Sequence, residues 1–113
     1  MTTMTAYSII MTVALLATGA LILWLGVRSG QGKLPKNQWV GIRTEKLMAS
    51  DEAWVKGHKA AAGYLKLSSI PLFAGGVACL VLDDSLIAWG SLPVVVLLIA
   101  MVLLASKQAH VAV

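Results

Sequence analysis

The chain has 113 residues, of which 58% are hydrophobic and only 12% charged. That is more apolar surface than one small soluble core can hide, which excludes an ordinary water-soluble domain and leaves the bilayer as its place. The net charge of +4 does not point to nucleic acid, because the basic residues lie mostly in one juxtamembrane stretch without zinc spacing or an RNA-binding aromatic motif, and the single Cys79 excludes an internal disulfide framework and any multi-cysteine metal site.

Residues 6–27 carry no charge. At about 1.5 Å per helical residue they cover the roughly 30 Å hydrocarbon core of a bilayer. A cleaved signal peptide would need basic residues ahead of this stretch. Residues 1–5 have none, and Arg28, Lys33 and Lys36 come after it. A retained first span is expected.

Residues 28–59 form the first connection. Gly30, Gly32 and Pro35 predict a turn, with the residue before Pro35 extended. Ser50 reads as an N-cap with Asp51 and Glu52 in the first turn, where the helix dipole favours acids. Trp54, His58 and Ala61 or Ala62 follow at helical spacing. This predicts a short interfacial helix over 51–59 that can run directly into the next span.

The second span is expected over 60–82. Its one charge, Lys66, is near enough to the end to return its ammonium to the interface. Asp83, Asp84 and Ser85 leave room only for a tight antiparallel hairpin, with Asp84 or Ser85 capping a third span over 86–105. Pro71 and Pro93 interrupt these spans and free the carbonyls of Leu67 and Trp89, with Ser68, Ser69 and Ser91 at hand to satisfy them. Ala74, Gly75, Ala78 and Cys79 make a small-residue face suited to close helix packing, and Gly26 with Gly30 makes another near the membrane exit.

The basic residues fix the orientation. Arg28, Lys33, Lys36, Arg43, Lys46, Lys56 and Lys59 lie between the first two spans, Lys66 reaches back toward them, and Lys107 follows the third. With three spans, all of these face one compartment and only Asp83 and Asp84 face the other. The positive-inside rule puts the N-terminus outside and the C-terminus in the cytoplasm. Anionic lipid headgroups attract such a face.

The first connection also holds the candidate site. Gly41, Ile42, Arg43 and Thr44 read either as a recognition turn for a cytoplasmic partner or as a structural turn in which Arg43 pairs with Asp51, Glu52 or a lipid phosphate. Trp39 and Trp54 fit an aromatic belt at the membrane surface. His58, one turn after Trp54, lacks a second metal ligand and is expected to contact the Arg43 loop. Asp83 and Asp84 suit a solvated turn, or a docking point for a cationic extracellular peptide. No Walker loop, GxSxG or HExxH motif occurs and no acid lies within a span, so neither catalysis nor proton-coupled transport is expected, nor any metal or cofactor.

Residues 35–58 carry a resemblance. Asn37, Gly41, Ile42, Arg43, Thr44, Ser50, Trp54 and His58 are similar to the signature of the SdpI family of bacterial membrane proteins, which also places this motif between a first hydrophobic segment and a helical hairpin. The resemblance implies immunity to a secreted peptide toxin, or signalling in which a cytoplasmic repressor is held at the membrane. The named members are longer, with further membrane helices ahead of the shared unit.

The expectation is therefore an all-α integral membrane protein of the bacterial plasma membrane, with three transmembrane helices and a short interfacial helix between the first and second. Its function is expected to be protein recognition through Asn37, Gly41, Arg43, Thr44, Ser50, Trp54 and His58. The alternative is a small accessory subunit packing against a larger membrane complex. Either way, a protein partner or self-association is expected.

Overall fold

A computed structural model describes residues 4–37 and 40–113. Four helices follow one another: α1 (Ala6–Gly30), α2 (Glu45–Met48), α3 (Asp51–Ala78) and α4 (Asp84–Val111). Among the described residues there is no strand. Successive long helices run antiparallel, α1 and α4 pointing the same way and α3 against both, in a rod 52 Å long and about 20 Å across.

Each of the three long helices begins at a capping side chain. Thr5 and Ser8 form a reciprocal capping box at the start of α1. Ser50 Oγ accepts from the Ala53 amide at 3.0 Å and starts α3 as expected. The cap of α4 is Asp83, whose Oδ1 accepts from the Leu86 amide at 2.9 Å; the expected caps Asp84 and Ser85 fall instead in the first helical turn. The shift follows from an early end to α3: residues 79–82 close the hairpin as successive turns, which leaves Asp83 with the extended backbone a cap needs. Asp84 accepts from the Thr5 hydroxyl at 2.7 Å and ties the start of α1 to the hairpin.

The end of α1 is a Schellman turn. The Lys33 amide reaches the Arg28 carbonyl at 2.9 Å, Gly32 reaches Ser29 at 3.1 Å, and Gly32 supplies the positive φ of 69°. Residues 51–59 are helical, as expected, and run directly into the following stretch, so that α3 is continuous from Asp51 to Ala78. Nothing between 59 and 60 would end a helix, and Ala60, Ala61 and Ala62 favour continuation. Both α3 and α4 also continue through Pro71 and Pro93. The serines near them bond other carbonyls than expected: Ser68 to Leu65, Ser69 to Lys66 and Ser91 to Ala88, each three residues back.

α3 packs along both neighbours, while α1 and α4 scarcely touch. Its seam with α1 is built from small residues at a seven-residue interval. Thr12, Gly19 and Gly26 are buried in α1, with Ser8 and Ser29 flanking. A Cβ on Gly26 would lie 2.9 Å from the Lys66 backbone nitrogen, so the two helices meet there main chain to main chain. Gly76 lets α3 accept Leu16 of α1 in the same way.

α1 and α4 are each long and apolar enough to cross a membrane. α3 is as long as α4 but the least apolar of the three, with Tyr64, Lys66, Ser68 and Ser69 along its middle. Its position between the others covers both serines, which are buried and bonded to carbonyls of their own helix. Arg28, the loop and the end of α4 meet at one end of the rod. Thr5, Asp83 and Asp84 meet at the other.

Candidate functional site

The motif residues gather at the basic end, where the loop between α1 and α3 folds back over the first turns of α3. Trp54 points inward and is fully buried. Its indole Nε1–H donates to the Leu34 carbonyl at 3.0 Å, joining the segment after α1 to α3. Trp54 is therefore not an aromatic-belt residue at the lipid surface: its polar edge is satisfied by protein and its ring forms the floor of the loop. Trp39, the other expected belt residue, lies outside the described residues.

His58, one turn on, is 1% exposed and its ring lies 4.1 Å from that of Trp54. Its Nδ1 is 2.7 Å from the Trp54 carbonyl, which can only accept, so Nδ1 carries the proton. The lone pair on Nε2 then accepts the Ile42 amide at 2.9 Å. Both ring nitrogens are committed, and the imidazole is neutral in this arrangement. Burial pushes its pKa below the ordinary value, opposed in part by the bond to the Trp54 carbonyl.

Gly41 makes this contact possible. Its φ of +112° is a conformation that side-chain-bearing residues rarely adopt. A Cβ there would also lie 2.8 Å from both His58 Nε2 and the Trp54 ring. Glycine is required twice over, once by the backbone and once by the space. Asn37 shapes the approach: its Oδ1 accepts from the Val40 amide at 2.8 Å and its Nδ2 donates to the Pro35 carbonyl at 2.9 Å.

The far side of the loop is held by α4. Thr44 Oγ1 is 2.8 Å from His110 Nε2, and His110 Nδ1 is 2.6 Å from the Ser106 carbonyl. Lys46 Nζ donates to the His110 carbonyl at 2.8 Å, placing a cation where the C-terminal dipole of α4 favours one. Beneath them Leu47 of α2 is fully buried against Ala61, Leu65, Ala105 and Ala109.

The expected site residues thus occupy different places. Trp54 and His58 are buried, Asn37 and Thr44 are partly covered, and Ser50 caps α3 at the surface. Arg43 is exposed between two anchored neighbours, and among the described residues it pairs with neither Asp51 nor Glu52. Sequence reading missed Leu34, Leu47, Lys46 and His110. His110 is 66 positions from Thr44, and nothing local in the sequence marks the two as neighbours. Gly57 was a usable signal for Leu47, since a glycine inside a helix often marks a close approach. Among the described residues no cluster of His, Cys, Asp or Glu could hold a metal ion.

No curated protein and no solved structure matches the chain significantly. The model of the SdpI/YfhL protein family does match it, over residues 33–106. That span takes in the clasped loop, α2, α3 and most of α4, and so more than half of the chain. The two apolar helices, α1 ahead of the matched span and α4 mostly within it, suit a membrane protein. The chain belongs to the SdpI/YfhL protein family.

Proposed function

We propose that this chain is a non-catalytic, three-span protein of the bacterial plasma membrane that recognises a protein partner through the loop around Arg43, in peptide-toxin immunity or membrane-tethered signalling. One observation carries the reading. Arg43 is exposed and free of ion pairs among the described residues, yet the residues on either side of it are each bonded to a histidine. A connector between two helices does not need a buried tryptophan, a positive-φ glycine and two histidine contacts. A loop that must present one guanidinium in a fixed place does. In this reading Arg43 makes the contact, and Asn37, Gly41, Thr44, Ser50, Trp54 and His58 hold it in position.

The third span is α3, which lies between two helices of membrane-crossing length and has Lys66 as its only charge over residues 60–82. The concentration of Lys and Arg at the loop end supports a cytoplasmic site, against anionic headgroups, with the N-terminus outside. Asp83 and Asp84, exposed at the opposite end, then face a secreted cationic peptide.

Cells lacking the gene, and cells complemented with Arg43→Ala, test the reading by challenge with the peptide toxins of neighbouring strains. Immunity predicts that both are sensitised and that the wild-type copy restores resistance. Unchanged sensitivity, with no protein captured through the loop by crosslinking, ends it. The reading of the chain as an accessory subunit rests on a cavity of about 280 Å³ among α1, α3 and α4, lined by apolar residues such as Met11, Leu15, Ala74 and Val94. Purification from native membranes in mild detergent decides for it only if a larger membrane protein comes along in fixed ratio.

A further inference from the structure

The chain has two histidines, and both hold the same short stretch of loop. Their chemistry differs. His58 must accept through Nε2, because its Nδ1–H is already given to the Trp54 carbonyl at 2.7 Å and the Ile42 amide at 2.9 Å can only donate. A second proton on this ring would set Nε2–H against the Ile42 N–H, two donors facing each other across a hydrogen-bond distance. The ring has no room to turn away, being 1% exposed, stacked on Trp54 and pressed by the Gly41 backbone.

His110 meets the loop through a hydroxyl. Thr44 Oγ1 can donate to a neutral ring or accept from a protonated one. That contact survives a change of protonation by reversing direction.

The geometry points to a proton-operated clasp: uptake of a proton at His58 Nε2 releases residues 40–43 from α3 while Thr44 stays pinned to α4, so Arg43 moves about a fixed hinge. The device regulates the recognition loop and takes its biological meaning from that reading, but the opening is measurable without any partner.

The ionisable groups on the surrounding elements do not oppose it. They are Arg28 at the end of α1, Lys33, Lys36 and Arg43 in the loop, Glu45 and Lys46 on α2, Asp51, Glu52, Lys56 and Lys59 on α3, and Lys107 and His110 on α4. None of them hydrogen-bonds or pairs with the His58 ring, so no carboxylate is in place to stabilise an imidazolium. Burial, partly offset by the Trp54 carbonyl, holds His58 below the ordinary value of 6.5. The clasp is therefore shut at neutral pH and opens in acid.

The test uses the full chain, labelled with nitrogen-15, in lipid nanodiscs from pH 7.5 to 4.5. Ring-nitrogen shifts follow His58 and His110, while hydrogen exchange, corrected for its intrinsic pH dependence, follows the Ile42 amide. Protection at Ile42 should fall by about tenfold or more, as loss of one buried hydrogen bond implies, with a midpoint equal to that of His58. The Met48 amide, bonded to the Thr44 carbonyl, should keep its protection. His58→Gln supplies an acceptor that does not titrate and should hold Ile42 protected throughout. Constant protection while His58 titrates, a midpoint that follows His110, or no His58 titration above pH 4.5 would overturn the clasp. Should His58→Gln not fold, the coincidence of the two wild-type midpoints still decides. An opening on schedule in Arg43→Ala, with partner capture insensitive to that substitution, would sink the recognition reading and leave the clasp intact.

Discussion

Leu47 and Gly57 fit each other like a plug and a socket: the leucine Cδ2 occupies the space where a side chain at 57 would begin. This contact sets α2 on α3, with the Ala109 carbonyl of α4 just beyond. Gly57→Ala should therefore push α2 off and cost about 1–3 kcal/mol, the usual range for an overfilled core. Leu47→Ala empties the same site and should cost about 2–5 kcal/mol. Thermal unfolding of the detergent-solubilised protein measures both. If the double variant is no worse than Leu47→Ala alone, the two effects arise at one contact.

Arg43 and Trp54 should separate in mutational tests. Arg43→Ala removes an exposed side chain that makes no ion pair among the described residues, so the melting temperature should not move while function is lost. Trp54→Phe keeps a ring in the floor of the loop but leaves the Leu34 carbonyl unpaired, a loss of about 1–3 kcal/mol. Function in that variant should recover as temperature is lowered. An Arg43→Ala protein that melts early would instead make Arg43 a structural residue.

The depressed pKa of His58 gives stability a pH dependence of known sign. The unfolded chain binds a proton at this residue more tightly than the folded chain, so folding opposes protonation. The stabilising contribution is present above the ordinary value of 6.5 and is lost as pH falls toward the depressed folded value. Melting temperature in the wild-type protein should drop between pH 7.5 and 5 by more than it does in His58→Gln. Equal drops in the two proteins would assign the acid sensitivity to the carboxylates.

The glycines of α1, α3 and α4 offer a comparison between crowded and open positions. A Cβ at Gly26 meets the Lys66 side chain and backbone, whereas one at Gly63 or Gly90 meets nothing within 4 Å. Gly26→Ala should loosen the α1–α3 seam and lower thermal stability, while Gly63→Ala and Gly90→Ala should leave it unchanged or raised. A distance measured between spin labels on α1 and α3 should lengthen only in Gly26→Ala.

What the sequence made legible were features whose causes are local. The Ser50 cap depends on an amide three residues away, and the uncharged runs in α1 and α4 show in composition alone. Trp54 was readable as a helical residue but not as a buried one, since its partner carbonyl is 20 positions back in a stretch with no regular structure. The Thr44–His110 contact is less visible still, because it exists only once the hairpin has carried the end of α4 back to the loop. α3 is the least apolar of the long helices, and how its polar residues are accommodated was not legible. Its serines look unsuited to lipid until their hydroxyls are seen bonded to their own backbone and covered by neighbours.

The placement of the two ends can be tested directly. Arg43 and Ser85 are both exposed and lie at opposite ends of the rod. Cys79 is buried and can be replaced by alanine to remove the native thiol. In that background a membrane-impermeant maleimide added to intact cells should label Ser85→Cys and spare Arg43→Cys, with both labelled after lysis. In the proposed topology the physical reason is the cost of carrying Lys and Arg across the bilayer: the seven basic residues from Arg28 to Lys59 would keep that end on the side where the chain is made. Labelling of Arg43→Cys alone in intact cells would invert the protein, and a loop facing outward would no longer be available to a cytoplasmic partner.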